Sequence, residues 1–271
     1  MARLRLAAFT VLAVVAGGCI NSATLITVKP DGSGTVELSL LMNTQALKAM
    51  LAGMGGGAGA NSGSFINESE IKRQAERMGG VRFVSSEPVK APGGFEGIKA
   101  LFAFDDINKV QVSQDPQMAG PGGGAFGPPP SADDNAVRFT LARSGATSIL
   151  TIAIDESTGS ADAADPADSP EMMMLQDPAA FAMMKTMFQG FKVAVDLEVA
   201  GSIVKTNADH VRGSRITLVE IDMNALVADE ARFKALAGQM KPGASLGAVR
   251  PLLKDVKGVK INGPVVTVEF R

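Results

Sequence analysis

The sequence predicts an α+β fold with mixed, largely antiparallel sheets built from β-hairpins, several interspersed helices and two long flexible loops. Three observations predict it. Short alternating segments rich in β-branched residues recur along the chain, turns containing Gly or Pro join neighbouring segments, and helical stretches with N-capping residues separate them. Hydrophobic residues make up 46% of the 271 residues, which suits a chain with a sizeable core.

The start of the chain predicts an export signal. Two arginines are followed by an apolar run at residues 6–16, which only one Thr interrupts, and two glycines stand directly before Cys19. The run is too short to span a bilayer, and this layout is typical of a secretory signal peptide. We therefore expect residues 1–18 to be removed.

Residues 14–19 (VVAGGC) resemble the lipobox of bacterial lipoproteins, although Ala16 stands where Leu is commonest. The resemblance implies cleavage before Cys19 and a covalent acyl lipid on its thiol, with no other cofactor. Each buried methylene contributes about 0.8 kcal/mol, so two or three acyl chains make a stable anchor. Ile20 follows where Asp would commonly retain the protein at the inner membrane. The resemblance therefore implies the periplasmic face of the outer membrane if the cell is Gram-negative.

We predict one extracytoplasmic domain behind this anchor. Residues 19–23 are expected to be the lipidated N-terminus and a short tether, and residues 24–271 the α+β domain. No later apolar run reaches the ~20 residues that a membrane helix needs. Two segments, 114–135 and 156–169, are expected to be the flexible loops because Pro, Gly, Ala, Ser and Asp dominate them.

The domain opens with a predicted hairpin. Residues 24–29 and 35–41 alternate like strands, and Pro30 to Gly34 joins them with a Pro that pre-sets φ and glycines that allow a positive φ. Further strands are predicted from the same kind of pattern. They cover residues 81–85, 97–104, 137–143, 148–155, 191–199, 202–206, 214–221, 258–261 and 264–270.

Helices are predicted where capping residues precede a helical pattern. Asn67 with Glu70 has the spacing of a capping box, and Asp222 can cap a helix that continues to about Met240. The predicted helices cover residues 43–53, 67–79, 222–240 and 246–254, with a methionine-rich helical region at 170–189.

Two stretches resemble the LppM-type bacterial lipoproteins. Residues 27–35 (TVKPDGSGT) look like the opening hairpin of that family, and residues 201–207 with 213–217 look like its closing hairpin. The resemblance implies an extracytoplasmic β-rich domain. It implies no catalytic residues, since the family has no accepted chemistry.

The composition excludes several functions. The net charge of −2 becomes −4 once the two signal arginines are removed, so the basic surface that nucleic-acid binding needs is missing. One Cys and one His exclude a Cys/His zinc site and an intramolecular disulfide. The expected partners are membrane lipid, through the anchor, and an apolar ligand or an envelope protein, but not nucleic acid.

The sequence predicts no catalytic residues. Residues 243–247 match G-x-S-x-G, but a predicted helix and not a strand precedes Ser245, and His210 comes before it in the chain, which is the wrong order for a hydrolase triad. We therefore expect a non-enzymatic protein. The alternative is a carboxylate-dependent envelope hydrolase that uses neighbouring aspartates, such as those at 105–106 or 133–134.

A methionine-rich segment is the candidate binding surface. It holds six of the 14 methionines, and Phe181, Met184 and Phe188 recur at a spacing that puts them on one helical face. Three interpretations stay open: core packing, a plastic apolar groove for a lipid or a protein partner, and Cu(I) binding by thioethers. The residues of the candidate surface are Met172, Met173, Phe181, Met184, Met187 and Phe188.

Overall fold

The computed structural model describes residues 20–44, 71–113, 136–154, 177–239 and 246–271, apart from residues 74, 76, 77 and 189. The predicted signal peptide, Cys19 and both predicted loops lie outside the described residues. Thirteen strands are found in the described ranges. They are β1 (Ile20–Val28), β2 (Gly34–Asn43), β3 (Val81–Ala91), β4 (Phe95–Phe104), β5 (Gln111–Ser113), β6 (Ala136–Ser144), β7 (Thr147–Ile154), β8 (Lys192–Val199), β9 (Ile203–Thr206), β10 (Val211–Arg212), β11 (Arg215–Asp222), β12 (Val259–Ile261) and β13 (Val265–Phe270).

The strands form two sheets, which confirms the predicted α+β class. Sheet A has eight strands in the order β10-β11-β8-β1-β2-β4-β3, with β12 also paired to β11. Sheet B has five strands in the order β5-β6-β7-β13-β9. β1 and β8 pair in parallel, whereas the other strand pairs are antiparallel.

Four helices have defined bounds: α1 (Pro178–Met187), α2 (Met223–Val227), α3 (Glu230–Ala237) and α4 (Leu246–Leu253). Residues 71–73, 75 and 78 are also helical, inside the helix predicted at 67–79. The helix predicted from Asp222 to Met240 is wrong in its length. A second cap divides it, because the Asp229 carboxylate accepts a hydrogen bond from the Arg232 backbone N–H and starts α3.

One hydrophobic core joins the two sheets. Alternate residues of β2 are buried, because successive side chains of a strand point to opposite faces of the sheet. Val36 and Phe102 of sheet A belong to the same core cluster as Phe139, Ile152 and Val268 of sheet B, and each is at most 3% exposed. Fully burying a side chain of this size contributes about 1.5–3 kcal/mol.

Sheet B holds the turn between β1 and β2. The Ser148 hydroxyl donates to the Pro30 carbonyl at 2.9 Å, and the Arg143 guanidinium donates to the Asp31 carbonyl at 3.0 Å. Asp31 in turn accepts hydrogen bonds from Ser33, which lower the pKa of its carboxyl group. The opening hairpin was therefore predicted correctly, and contacts distant in sequence fix it.

Two predictions about strands need correction, one about where β1 begins and one about a hairpin. β1 begins at Ile20, where it pairs with Met42, so residues 20–23 belong to the sheet and do not form the predicted tether. The predicted closing hairpin does not form either. β9 pairs with β13 in sheet B, whereas β11 pairs with β8 and β10 in sheet A. The chain crosses from sheet B to sheet A at residues 207–210, and the turn at 213–214 joins β10 to β11 instead. Local sequence does not specify these partners.

Candidate functional site

The end of sheet A at which β1 begins lies directly beside the predicted acylation site. Ile20 is the first residue of β1, so Cys19 precedes the sheet without an intervening residue. Asn21 pairs with Leu41 on one side and with Lys192 on the other. We call this end of sheet A the anchor end.

Two loops meet at the anchor end. The Asn43 amide donates to the Gly93 carbonyl at 3.1 Å, which ties the end of β2 to the turn between β3 and β4. Phe95 follows that turn and lies against Gly190 of the connection between α1 and β8. A Cβ atom added at Gly190 would stand 2.6 Å from the Phe95 Cζ atom. This close approach, together with a φ of +91°, requires glycine at position 190.

The connection between α1 and β8 carries two further phenylalanines. The rings of Phe188 and Phe191 meet edge to face, with their centroids 6.3 Å apart. The Gly190 N–H donates to the side-chain carbonyl of Asn224, and the Met223 N–H donates to the Phe191 carbonyl. These bonds fix the connection against α2. We call Phe95, Phe188 and Phe191, all half-buried, the phenylalanine rim.

The structure describes only part of the predicted candidate surface. Met172 and Met173 lie outside the described residues. Met184 and Met187 belong to α1, and the described structure does not include their side chains. Phe188 follows the end of α1 and contributes to the phenylalanine rim.

Phe181 has a packing role. It is 3% exposed, its ring centroid lies 6.0 Å from that of Phe233 in α3, and the Lys234 ammonium stands 4.8 Å over its ring. Such a contact stabilises a cation beside the π face. Phe181 thus supports the core-packing interpretation for its own part of the segment.

Sequence reasoning missed Phe95, Gly190 and Phe191. Phe95 and Phe191 each follow a turn glycine, Gly94 and Gly190, and that is the only local signal. They are brought together by the pairing of β2 with β4, whose partners lie 52–70 residues apart in the chain, and of β1 with β8, whose partners lie 171 apart.

A charged cluster lies on sheet A near the anchor end. The Glu220 carboxylate is 3.5 Å from the Lys192 ammonium and 2.9 Å from the Lys260 ammonium. Burial raises the pKa of Glu220, but the hydrogen bonds and charges of the two lysines outweigh burial and hold the pKa below its ordinary value. Asp222 stands opposite Lys192 in the pairing of β11 with β8, so two lysines and two carboxylates share this end of the sheet.

Two aspartates of the hydrolase alternative, Asp105 and Asp106, are described, and their contacts are those of structural residues. The Asp105 side chain is 91% exposed and stands 4.0 Å from the Arg82 guanidinium. The Asp106 carboxylate caps a 3₁₀ turn at residues 107–109 by accepting the side-chain and backbone N–H groups of Asn108, which lowers its pKa. A general acid needs the opposite shift. Residues 133–134 and Ser245 lie outside the described residues.

Within the described ranges, no group of three or more His, Cys, Asp or Glu side chains could hold a metal ion. In the same part of the chain, no helix is long and apolar enough to cross a membrane.

The comparisons with known proteins found little. No family model and no curated protein matches the chain. Among solved structures, the NMR structure of the folded domain of LppM from Mycobacterium tuberculosis is similar at a TM-score of 0.35 and 12% identity, over 94% of this chain and 91% of that chain.

Proposed function

We propose that this chain is a bacterial envelope lipoprotein, acylated at Cys19, whose domain binds an apolar ligand or a protein partner without catalysis. The observation that carries the proposal is the position of Cys19, the only cysteine of the chain: it ends a segment that resembles a lipobox and stands directly before the first strand of a folded domain. Anchored in this way, the domain is held at the membrane surface, on the outer membrane in a Gram-negative cell.

The first experiment tests the anchor. We expect the wild-type chain to fractionate with membranes and to carry an acyl mass, and Cys19→Ser to be unprocessed or soluble. A double variant, Cys19→Ser with Ser22→Cys, is the matched control, because it keeps one thiol but moves it out of the lipobox. Membrane retention of Cys19→Ser equal to that of the wild type would contradict the proposal.

The position of α1 supports the binding part of the proposal. Met184 and Met187 belong to this helix, and the strand that follows it pairs with β1 two residues after Cys19. Methionine side chains adapt to ligands of varied shape. An apolar ligand that enters from the bilayer would meet this part of the chain first.

Native mass spectrometry of the detergent-extracted protein, with metal analysis of the same sample, tests the binding part. A lipid mass beyond the covalent acyl mass, lost in the double variant Met184→Asp with Phe188→Asp, would support an apolar-ligand site. Bound copper would favour thioether coordination instead. An empty protein would favour a protein partner.

A further inference from the structure

We propose that the anchor end of sheet A is a membrane-contacting surface, on which the phenylalanine rim meets the boundary between the lipid headgroups and the acyl chains. The partner is the bilayer that holds the acyl chains of Cys19. This inference rests on the proposed acylation and adds a defined orientation of the domain to it.

The first step is that no linker residue lies between Cys19 and the first strand of the domain. β1 is paired on both sides from Asn21 onwards, and Ile20 already pairs with Met42. Only Cys19 itself separates the sheet from its acyl chains, and one extended residue spans at most about 3.6 Å. The anchor end is therefore held at the depth of the headgroups.

The second step is the chemistry of the anchor end. Phe95, Phe188 and Phe191 are half-buried there, and the chain contains no Trp or Tyr that could take their place at an interface. Apolar side chains on a membrane-bound surface insert about 5–10 Å into the boundary between headgroups and acyl chains. The rim is positioned for that depth.

The opposite end of sheet A carries the turn at residues 30–33. Arg143 of β6 and Ser148 of β7, on either side of the turn between these strands, contact it. Apolar side chains occur at this end too, since Phe104 pairs with Gly34 and Val211 is 43% exposed, so the two ends are distinguished by their distance from Cys19. With a rise of about 3.3 Å per residue, the nine residues of β1 hold the two ends about 26 Å apart.

The experiment compares two chains, one labelled at the anchor end of sheet A and the other labelled at the opposite end of the sheet. Acylation consumes the thiol of Cys19, so an introduced cysteine takes up a fluorescent dye alone. Pro92→Cys labels the turn before Phe95, and Ala146→Cys labels the turn between β6 and β7, both at exposed positions. The acylated chains are reconstituted in vesicles of phosphatidylethanolamine and phosphatidylglycerol that contain headgroup-nitroxide lipid.

We expect the label at position 92 to be quenched about twofold or more above the label at position 146, because the two ends lie about 26 Å apart. In the Pro92→Cys chain, Phe95→Ser with Phe188→Ser should reduce the quenching. The control Val84→Ser, which removes an exposed apolar side chain of β3 outside the rim, should not.

The outcomes separate this inference from the proposed function. A chain without acyl mass overturns both. An acylated chain with equal quenching at positions 92 and 146 overturns the inference and leaves the anchor intact. Quenching at position 92 that the two serines do not change overturns the role of the phenylalanine rim.

Discussion

Asn262 offers the sharpest test of how the two sheets are joined. It is fully buried between β12 of sheet A and β13 of sheet B. Its side-chain carbonyl accepts the Asp209 N–H at 2.7 Å, and its amide donates to the Thr217 carbonyl beside the irregularity in β11. Asn262→Ala would leave the Asp209 N–H and the half-buried Thr217 carbonyl without these partners.

Water can reach the exposed Asp209, so the main cost is the Thr217 carbonyl, and Asn262→Ala should lower the free energy of unfolding by about 1–3 kcal/mol. That is a sizeable part of the ~5–15 kcal/mol of an ordinary domain. With a urea slope of about 2–3 kcal/mol/M, the midpoint of unfolding should fall by about 0.5–1 M. Urea unfolding of the mature protein, followed by circular dichroism, measures it.

Asn207 provides a matched control. Its side chain also accepts one backbone N–H, from Thr267, and donates to one carbonyl, that of Val265, but Asn207 is exposed. Water can replace both bonds there, so Asn207→Ala should cost about 1 kcal/mol or less. Equal losses for Asn207→Ala and Asn262→Ala would refute the argument from burial.

Three further predictions follow from single residues. Gly190→Ala should destabilise the fold by about 1–3 kcal/mol, measured by urea unfolding, because of its positive φ and the Phe95 ring. Phe181→Ala should cost about 3–5 kcal/mol and leave any bound lipid mass unchanged, because Phe181 is a packing residue; loss of the lipid mass in a folded variant would contradict this. The lowered pKa of Asp106 means that its contribution is complete above the ordinary value of 3.8 and is lost as the pH falls through the lower folded value. Acid titration of stability should therefore show a smaller loss for Asp106→Asn than for the wild type.

The elements predictable from the sequence were those with local signals. The turn at residues 30–34, the alternation in β2 and the cap at Asp222 each depend on neighbours in the chain, and all three form. Besides the length of the helix at 222–240 and the tether at 20–23, the failure concerns pairing. β9 and β11 have similar patterns, but β9 joins sheet B through β13, and no local signal distinguishes the two sheets.

The same limit applies to the site. Cys19 is predicted by a contiguous motif, and Phe188 by its spacing from Phe181. Phe95 contacts Gly190 because β4 and β8 both begin at the anchor end of sheet A. The periodicity of the sequence does not show which strands begin at the same end. Phe181 and Phe188 fit one helical face, yet one packs on α3 and the other lies in the rim, because α1 ends between them.

The parallel pairing of β1 with β8 links the anchor to the methionine-rich segment. In a parallel pair both strands begin at the same end, so whatever precedes β8 in the chain is brought beside whatever precedes β1. Cys19 precedes β1, and α1 with Met184 and Met187 precedes β8. An antiparallel pair would have placed α1 about 26 Å away, at the other end of the sheet. Under the proposed acylation of Cys19, an apolar ligand that leaves the bilayer there would therefore reach α1 without crossing the aqueous side of the domain. For this reason, the effects of Met184→Asp and Phe188→Asp on bound lipid should be larger in the acylated protein than in Cys19→Ser.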